Sequence, residues 1–204
     1  MKTVYRGDRG EVVLEEYNDR GIYRWPTIEP KRLCSGFVNP GSFDEALDQH
    51  HHVLDLAPFA LSLGSLDCES LNVMFGFDFT YRGNHNQLLI DALGVAPGFE
   101  RLAEMPGATI ICNEPSLQFS LDEECRVQCR LSIETRTTAY HVRTGEYPEE
   151  QLSVYLTARR YGSMDPGETY VDAMNKLAVI SRDVVDAYVI DQILRPLQQT
   201  IAIK

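Results

Sequence analysis

Several features are missing from this 204-residue chain, and each absence narrows what it can be. No apolar run approaches the length of about 18 residues that a membrane-spanning helix needs, so no span is expected. The opening MKTVYRGDRGEVV has no apolar central region, and a secretory signal is not expected there. There is no Cys-x-x-Cys pair. The five cysteines (Cys34, Cys68, Cys112, Cys125 and Cys129) are odd in number and scattered. That usage points to reduced thiols and a cytoplasmic setting rather than a disulfide framework.

Positive charge is also scarce: 19 Lys and Arg stand against 30 Asp and Glu, a net charge of -11. So acidic a chain lacks the summed positive field that non-specific nucleic-acid binding requires. The sequence contains no phosphate-binding loop, dinucleotide fingerprint, nucleophile elbow or His-Glu-x-x-His, so it implies no cofactor. Repeats and low-complexity tracts are absent as well.

What is present suits one globular domain. Hydrophobic residues make up 44% of the chain and charged ones 24%, enough to build a core without a metal or disulfide staple. Residues 1–41 read as an N-terminal extension. EVVLEEYNDRGIYRW forms a hairpin turning at Asn18–Gly21, and PTIEPKRLCSGFVNPGS, with three prolines, follows as an irregular segment.

Residues 42–204 read as the main domain. Ser42 with Glu45 marks a helix start that Pro58 should end. ESLNVMFGFDFTYR alternates over a dozen residues, the mark of a long strand with one wet face. Asn84, with Gln87 in the reciprocal position, caps a second helix over His85–Leu93. Three further strands are expected within 108–121, 125–140 and 151–162, the first broken at Pro115. Cys125 and Cys129 would share one strand face as small hydrophobes. Because inward residues must face inward on both of the last two strands, their register should set either Glu134 or Arg136 opposite Arg159. Opposite charges favour Glu134 by a few tenths of a kcal/mol. A long helix should start at Asp165-Pro166-Gly167-Glu168 and stop near Leu194, before Pro196. The fold class is therefore α+β: an antiparallel sheet of about four main strands with helices on one face, including a long C-terminal helix.

DQHHHVLD (48–55) looks at first like a metal ligand set. At about 100° per residue, three consecutive helical histidines cannot converge on one ion. His50 falls among the apolar residues Phe43, Ala46, Leu47, Val53, Leu54 and Ala57, so it faces the core, where it could act as a pocket acid or base. His51 and His52 belong to the wet face. Asp48 and His52 are four apart and form the weak alternative for a metal pair, short of a third ligand. His85 opens the second helix, where the dipole favours neutral imidazole, and is the other acid/base candidate. His141 has no evident partner.

Two surfaces stand out. Arg126, Arg130 and Arg136 lie outward on one expected strand and Arg159 outward on the next, a place for an acidic partner or an anionic ligand. On the C-terminal helix the main stripe comprises Tyr170, Met174, Leu177, Ser181, Val184, Val185 and Tyr188. Ile190, Ile193, Leu194 and Leu197 fall about 140–240° away from it on α-helical geometry. A helix apolar on two sides must bury both, against either the N-terminal segment or another subunit. Two functions follow as expectations. The first is a non-enzymatic, self-associating interaction module that assembles through this helix. The alternative is a pocket protein or small enzyme with an apolar cavity between sheet and helix, using His50 or His85.

Overall fold

The structure, a computed structural model, describes residues 2–6, 10–18 and 20–204. It is mixed α+β, with two antiparallel four-stranded sheets and a long C-terminal helix. Two compact units are formed, Met1–Cys68 with Met164–Asp172, and Glu69–Ser163 with Ala173–Lys204. Among the described residues no helix is long and apolar enough to cross a membrane.

In the first unit, strands β1 (Lys2–Arg6), β2 (Val12–Glu16), β3 (Tyr23–Glu29) and β4 (Arg32–Val38) pair in sequence order. The expected hairpin is β2–β3, with Asn18 Oδ1 accepting the Gly21 N–H at 2.7 Å. Asp19, inside that turn, lies outside the described residues. The segment expected to be irregular is instead the end of β3 and all of β4. Pro30 sits in the two-residue turn and Pro40 follows the last pair, while Pro26 lies within β3 opposite Ser35, just past Thr27 where the pairing with β2 ends. Gly36 stands opposite Trp25, whose indole covers it. A Cβ at position 36 would fall 2.3 Å from Trp25 Cε2.

Helix α1 (Phe43–Ala60) lies against β4. Ser42 caps it as expected, its Oγ accepting the Glu45 N–H. The Glu45 carboxylate, however, accepts from Gly41 N rather than closing the box on Ser42. Pro58 does not end the helix; it is tolerated in the last turn. The chain leaves the helix at Ser62, whose φ of 54° is left-handed.

The second unit carries the sheet β5-β8-β7-β6, built from β5 (Ser70–Arg82), β6 (Ser116–Ser120), β7 (Val127–Glu134) and β8 (Glu149–Tyr161). Along β5 exposed and half-buried residues alternate without a break, as the pattern demanded. Its core face meets the inward residues of β8, Leu152, Val154, Leu156 and Ala158, all fully enclosed. Helix α2 (His85–Leu93) adds Leu88 and Leu89 to one buried cluster, and the C-terminal helix closes both clusters. A short 3₁₀ turn (Pro97–Phe99) and α3 (Glu100–Ala103) follow α2.

Three expectations for this sheet are corrected. Of the strand expected over 108–121 and broken at Pro115, only the part after the proline, Ser116–Ser120, is a strand. Cys125 precedes β7 with φ 55° and is exposed, whereas Cys129 is buried, so the two share no strand face. The β7–β8 register sets Gln128, not Glu134 or Arg136, opposite Arg159. Parity survives, but the connection is longer than a hairpin loop. β7 stops at Glu134 because the next backbone donors are diverted: Thr135 N–H to Glu114 Oε1 at 2.9 Å, and Arg136 N–H to His85 Nδ1 at 3.2 Å. Helix α4 (Ala139–Thr144) then occupies the connection.

The C-terminal helix differs at both ends. Gly167, with φ 81°, turns the chain out of helical conformation, so Asp165–Glu168 is a turn. Helix α5 (Tyr170–Val184) begins after Thr169. Thr169 Oγ1 accepts the Asp172 N–H and Asp172 Oδ2 accepts the Thr169 N–H, both at 3.1 Å, a reciprocal cap. Val185–Leu194 then winds as a π-helix, and α6 (Arg195–Ile203) continues past Pro196. The Arg195 N–H reaches back five residues to Ile190 O. The wider turn carries the chain to Pro196 as the start of a new α-helical segment, where its missing donor is tolerated.

Candidate functional site

The site is built where β5 ends and β8 begins. Arg82 closes β5 opposite Glu149, the first residue of β8. Arg82 shares the parity of Asn72, Asp78 and Thr80, away from the core, so its guanidinium reaches solvent. The approach to β8 is shaped by α4. Thr138 Oγ1 accepts the His141 N–H at 3.4 Å, and the Thr138 N–H is donated to His141 Nδ1 at 3.3 Å. An imidazole here takes the place usually held by Glu or Gln in a reciprocal cap. Gly145, left-handed with φ 72°, ends α4 and turns the chain into Glu146-Tyr147-Pro148.

These segments enclose an open concavity of about 550 Å³, lined by Arg82, Tyr140, His141, Glu146, Tyr147 and Pro148. The His141 ring meets Tyr140 at 6.0 Å and Tyr147 at 6.4 Å between centroids, both edge-on. Because Nδ1 accepts from Thr138, neutral His141 carries its proton on Nε2, a donor. Arg143 lies over the Tyr140 ring at 5.7 Å, a cation–π contact. Among the described residues, the Arg82 guanidinium and the Glu146 carboxylate each make no hydrogen bond or ion pair, with one another or with anything else. Opposite charges line one concavity without meeting.

The residues singled out from sequence fall elsewhere. His50 is half-buried on α1, and its partner is Ser35 of β4, with Ser35 Oγ and His50 Nδ1 2.6 Å apart. Burial pushes its imidazole below the ordinary value, and neighbouring His51 adds to the effect. His85 is buried with both ring nitrogens engaged. Nδ1 accepts from Arg136 N–H and Nε2 donates to Tyr81 O at 3.3 Å, which sets the tautomer. Burial also lowers its pKa, so neutral imidazole is favoured, through desolvation. It holds the β7 exit in place.

The four arginines do not form one free cationic face. Arg159 donates to Asn72 Oδ1 at 2.5 Å and to Tyr161 Oη at 3.2 Å, with its guanidinium over the Tyr161 ring. Arg130 donates to Ser116 Oγ. Arg136 pairs with Glu134 at 3.5 Å and donates to Thr135 O. Arg126 lies just before β7 and is engaged as well.

The second apolar face of the C-terminal helix is corrected by the π-helix. At α-helical pitch Ser181 and Leu197 would lie about 160° apart. In the wider helix Ser181, Val185, Val189 and Leu197 are all buried, while Tyr188, expected in the stripe, is exposed. Ile193 and Leu194 pack against both core clusters, Ile190 against one, and Leu197 is fully enclosed. These four side chains are used by the chain's own core and give no argument for a partner subunit. The aromatic strand is likewise core wall, with Phe77, Phe79 and Tyr81 against one cluster and Phe75 and Phe77 against the other. Burial raises the Cys129 thiol pKa, in keeping with an inert sulfur.

In the first unit, Asp48 and His52 line a concavity of about 490 Å³ with Leu14, Glu15, Glu16, Arg24 and others of β2, β3 and α1. Among the described residues no group of three or more His, Cys, Asp or Glu is placed to hold a metal, so the pair gains no third ligand.

Sequence reasoning missed Arg82, Tyr140, Glu146 and Tyr147. Only His141, for which the sequence showed no evident partner, marked the region; its partner is Thr138, three residues earlier. The chain matches no protein-family model, no curated protein and no solved structure.

Proposed function

We propose that the protein is a binding protein for a small organic anion, seated in the concavity between Arg82, α4 and Glu146–Pro148. One observation carries the reading. Arg82 presents a guanidinium without a partner among the described residues at an aromatic-lined concavity of about 550 Å³, a volume within the range of small-molecule sites. Arginine is suited to hold a carboxylate through two parallel hydrogen bonds. The His141 Nε2–H offers a further donor. The flat faces of Tyr140, Tyr147 and Pro148 supply apolar area with little rotamer freedom to lose.

A binding role is favoured over a catalytic one because the imidazoles first placed as acid or base serve as supports. His85 uses both ring nitrogens to anchor backbone, and His50 bonds Ser35. The test is titration of the protein with 3-phenylpropionate, followed by calorimetry and by NMR shifts of the Arg82 and Tyr147 signals. Saturable binding that Arg82→Gln weakens about tenfold or more is expected, the loss of one charge-assisted pair. No saturable binding, or equal binding by Arg82→Gln, would refute the reading.

A further inference from the structure

The concavity holds a second charge that an anion alone leaves unanswered. Glu146 lines it together with Arg82, yet the two do not pair, and neither makes a hydrogen bond or ion pair with any other described residue. Opposite charges on flexible side chains around one open concavity are free to close on each other. Other exposed pairs of this chain do so: Arg24–Glu45 and Arg32–Glu29 at 2.6 Å, and Arg195–Asp191 at 2.8 Å. Here they do not. Arg82 leaves the backbone at the last pair of β5–β8, and Glu146 follows the left-handed Gly145 that ends α4. The edge-packed rings of His141, Tyr140 and Tyr147 line the same concavity.

We infer that the ligand is a zwitterion: an α-amino acid or close analogue with a planar apolar side chain. Its carboxylate is taken by Arg82 with help from His141 Nε2–H, and its ammonium by Glu146. Its ring lies against Tyr140, Tyr147 and Pro148. The complement is specific because each charge of such a ligand meets the opposite charge of the site. A simple anion leaves Glu146 facing it unpaired, and a simple amine leaves Arg82 so. This inference rests on the binding site proposed above and names the class of molecule it takes.

The experiment uses three probes of one shape on the full chain: L-phenylalanine, 3-phenylpropionate and phenethylamine. Each is titrated by calorimetry into the unmodified protein, Arg82→Gln and Glu146→Gln. Both positions are exposed, so the variants should fold, and circular dichroism verifies it. L-Phenylalanine is expected to bind about tenfold or more tighter than either single-charge probe. Glu146→Gln should weaken phenylalanine about tenfold while leaving phenylpropionate unchanged or tighter. Arg82→Gln should weaken phenylalanine and phenylpropionate alike. If phenylpropionate binds through Arg82 but phenylalanine binds no tighter, or Glu146→Gln leaves phenylalanine unaffected, the zwitterion inference is overturned and the anion site stands. If none of the three binds, both fall.

Discussion

Leu197→Ala is the substitution that separates the observed C-terminal helix from a continuous α-helix. Were the helix α throughout, Leu197 would point about 160° from Ser181, onto a face needing a partner. Truncating it would then cost the isolated chain little and would weaken self-association instead. In the π-containing helix Leu197 is fully enclosed, clustered with Leu88, Leu89, Ile133, Leu152 and Val154, and Ile193, Leu194 and Ile201 pack around them. These neighbours come from α2, β7, β8 and the helix itself, so a void there cannot be filled by one element shifting. Leucine-to-alanine changes at such positions cost about 2–5 kcal/mol, the transfer term plus the cavity left behind, and the upper half of that range is expected here. Tyr188→Ala is the matched control. It lies in the expected α stripe but is 66% exposed, so a change within about 0.5 kcal/mol is expected. Urea unfolding followed by far-ultraviolet circular dichroism at two protein concentrations reads both. Should Leu197→Ala cost under about 1 kcal/mol while Tyr188→Ala costs more, the π-helical phase would be wrong. Stability of the parent chain that falls on dilution would restore the partner reading.

Other expectations are equally direct. Gly36→Ala would set a methyl 2.3 Å from Trp25 Cε2 and force the indole off its strand partner. A loss of about 1–3 kcal/mol is expected, and the single tryptophan reports it as a shifted emission maximum; unchanged emission and stability would contradict the packing. Thr169→Ala removes the cap that starts α5 and should cost about 0.5–2 kcal/mol in thermal or urea unfolding; a neutral result would return the helix start to Asp165. The pH dependence has a definite sign. Burial lowers the pKa of His50 below 6.5, so the unfolded chain takes up the proton first as pH falls. The contribution is complete above the unfolded value and is lost as pH drops toward the folded one. The Trp25-monitored urea midpoint should therefore decline on going from about pH 7 to pH 5, and His50→Gln should flatten that decline; an equally steep decline in the variant would show that His50 is not its source.

Much of this architecture was legible because it depends on periods that neighbouring residues express. The unbroken alternation from Leu71 to Tyr81 could only be a strand with one wet face, and Asn84 does cap α2, accepting from Asn86 and Gln87. Inward parity on β7 and β8 held although the exact register did not. The register turned on Thr135 and Arg136 giving their N–H groups to Glu114 and His85, partners far along the chain that no local pattern announces. The two helix starts near 165 are a related case. Asp165 with Glu168 and Thr169 with Asp172 have the same spacing, and the choice is made by a left-handed Gly167.

The site was hidden for a stronger reason. Arg82 reads in sequence as the last polar residue of an alternating strand, and Tyr147 as a residue of a loop. They line one concavity only because β5 pairs with β8 so that Arg82 stands opposite Glu149, and because α4 fills what would otherwise be a short hairpin. A shorter connection, which the expected register required, would have removed Tyr140 and His141 from a helix and with them the concavity's far wall. The diversion of two backbone donors that broke the predicted ladder is thus the same event that creates the room for a ligand. Restoring the ladder should erase the site. His85→Phe leaves the Arg136 N–H, the donor on the β8 side, without its acceptor and favours extension of β7, so it should weaken ligand binding at Arg82 although His85 does not line the concavity. Undiminished affinity in that variant, with the fold intact, would break the link between register and site.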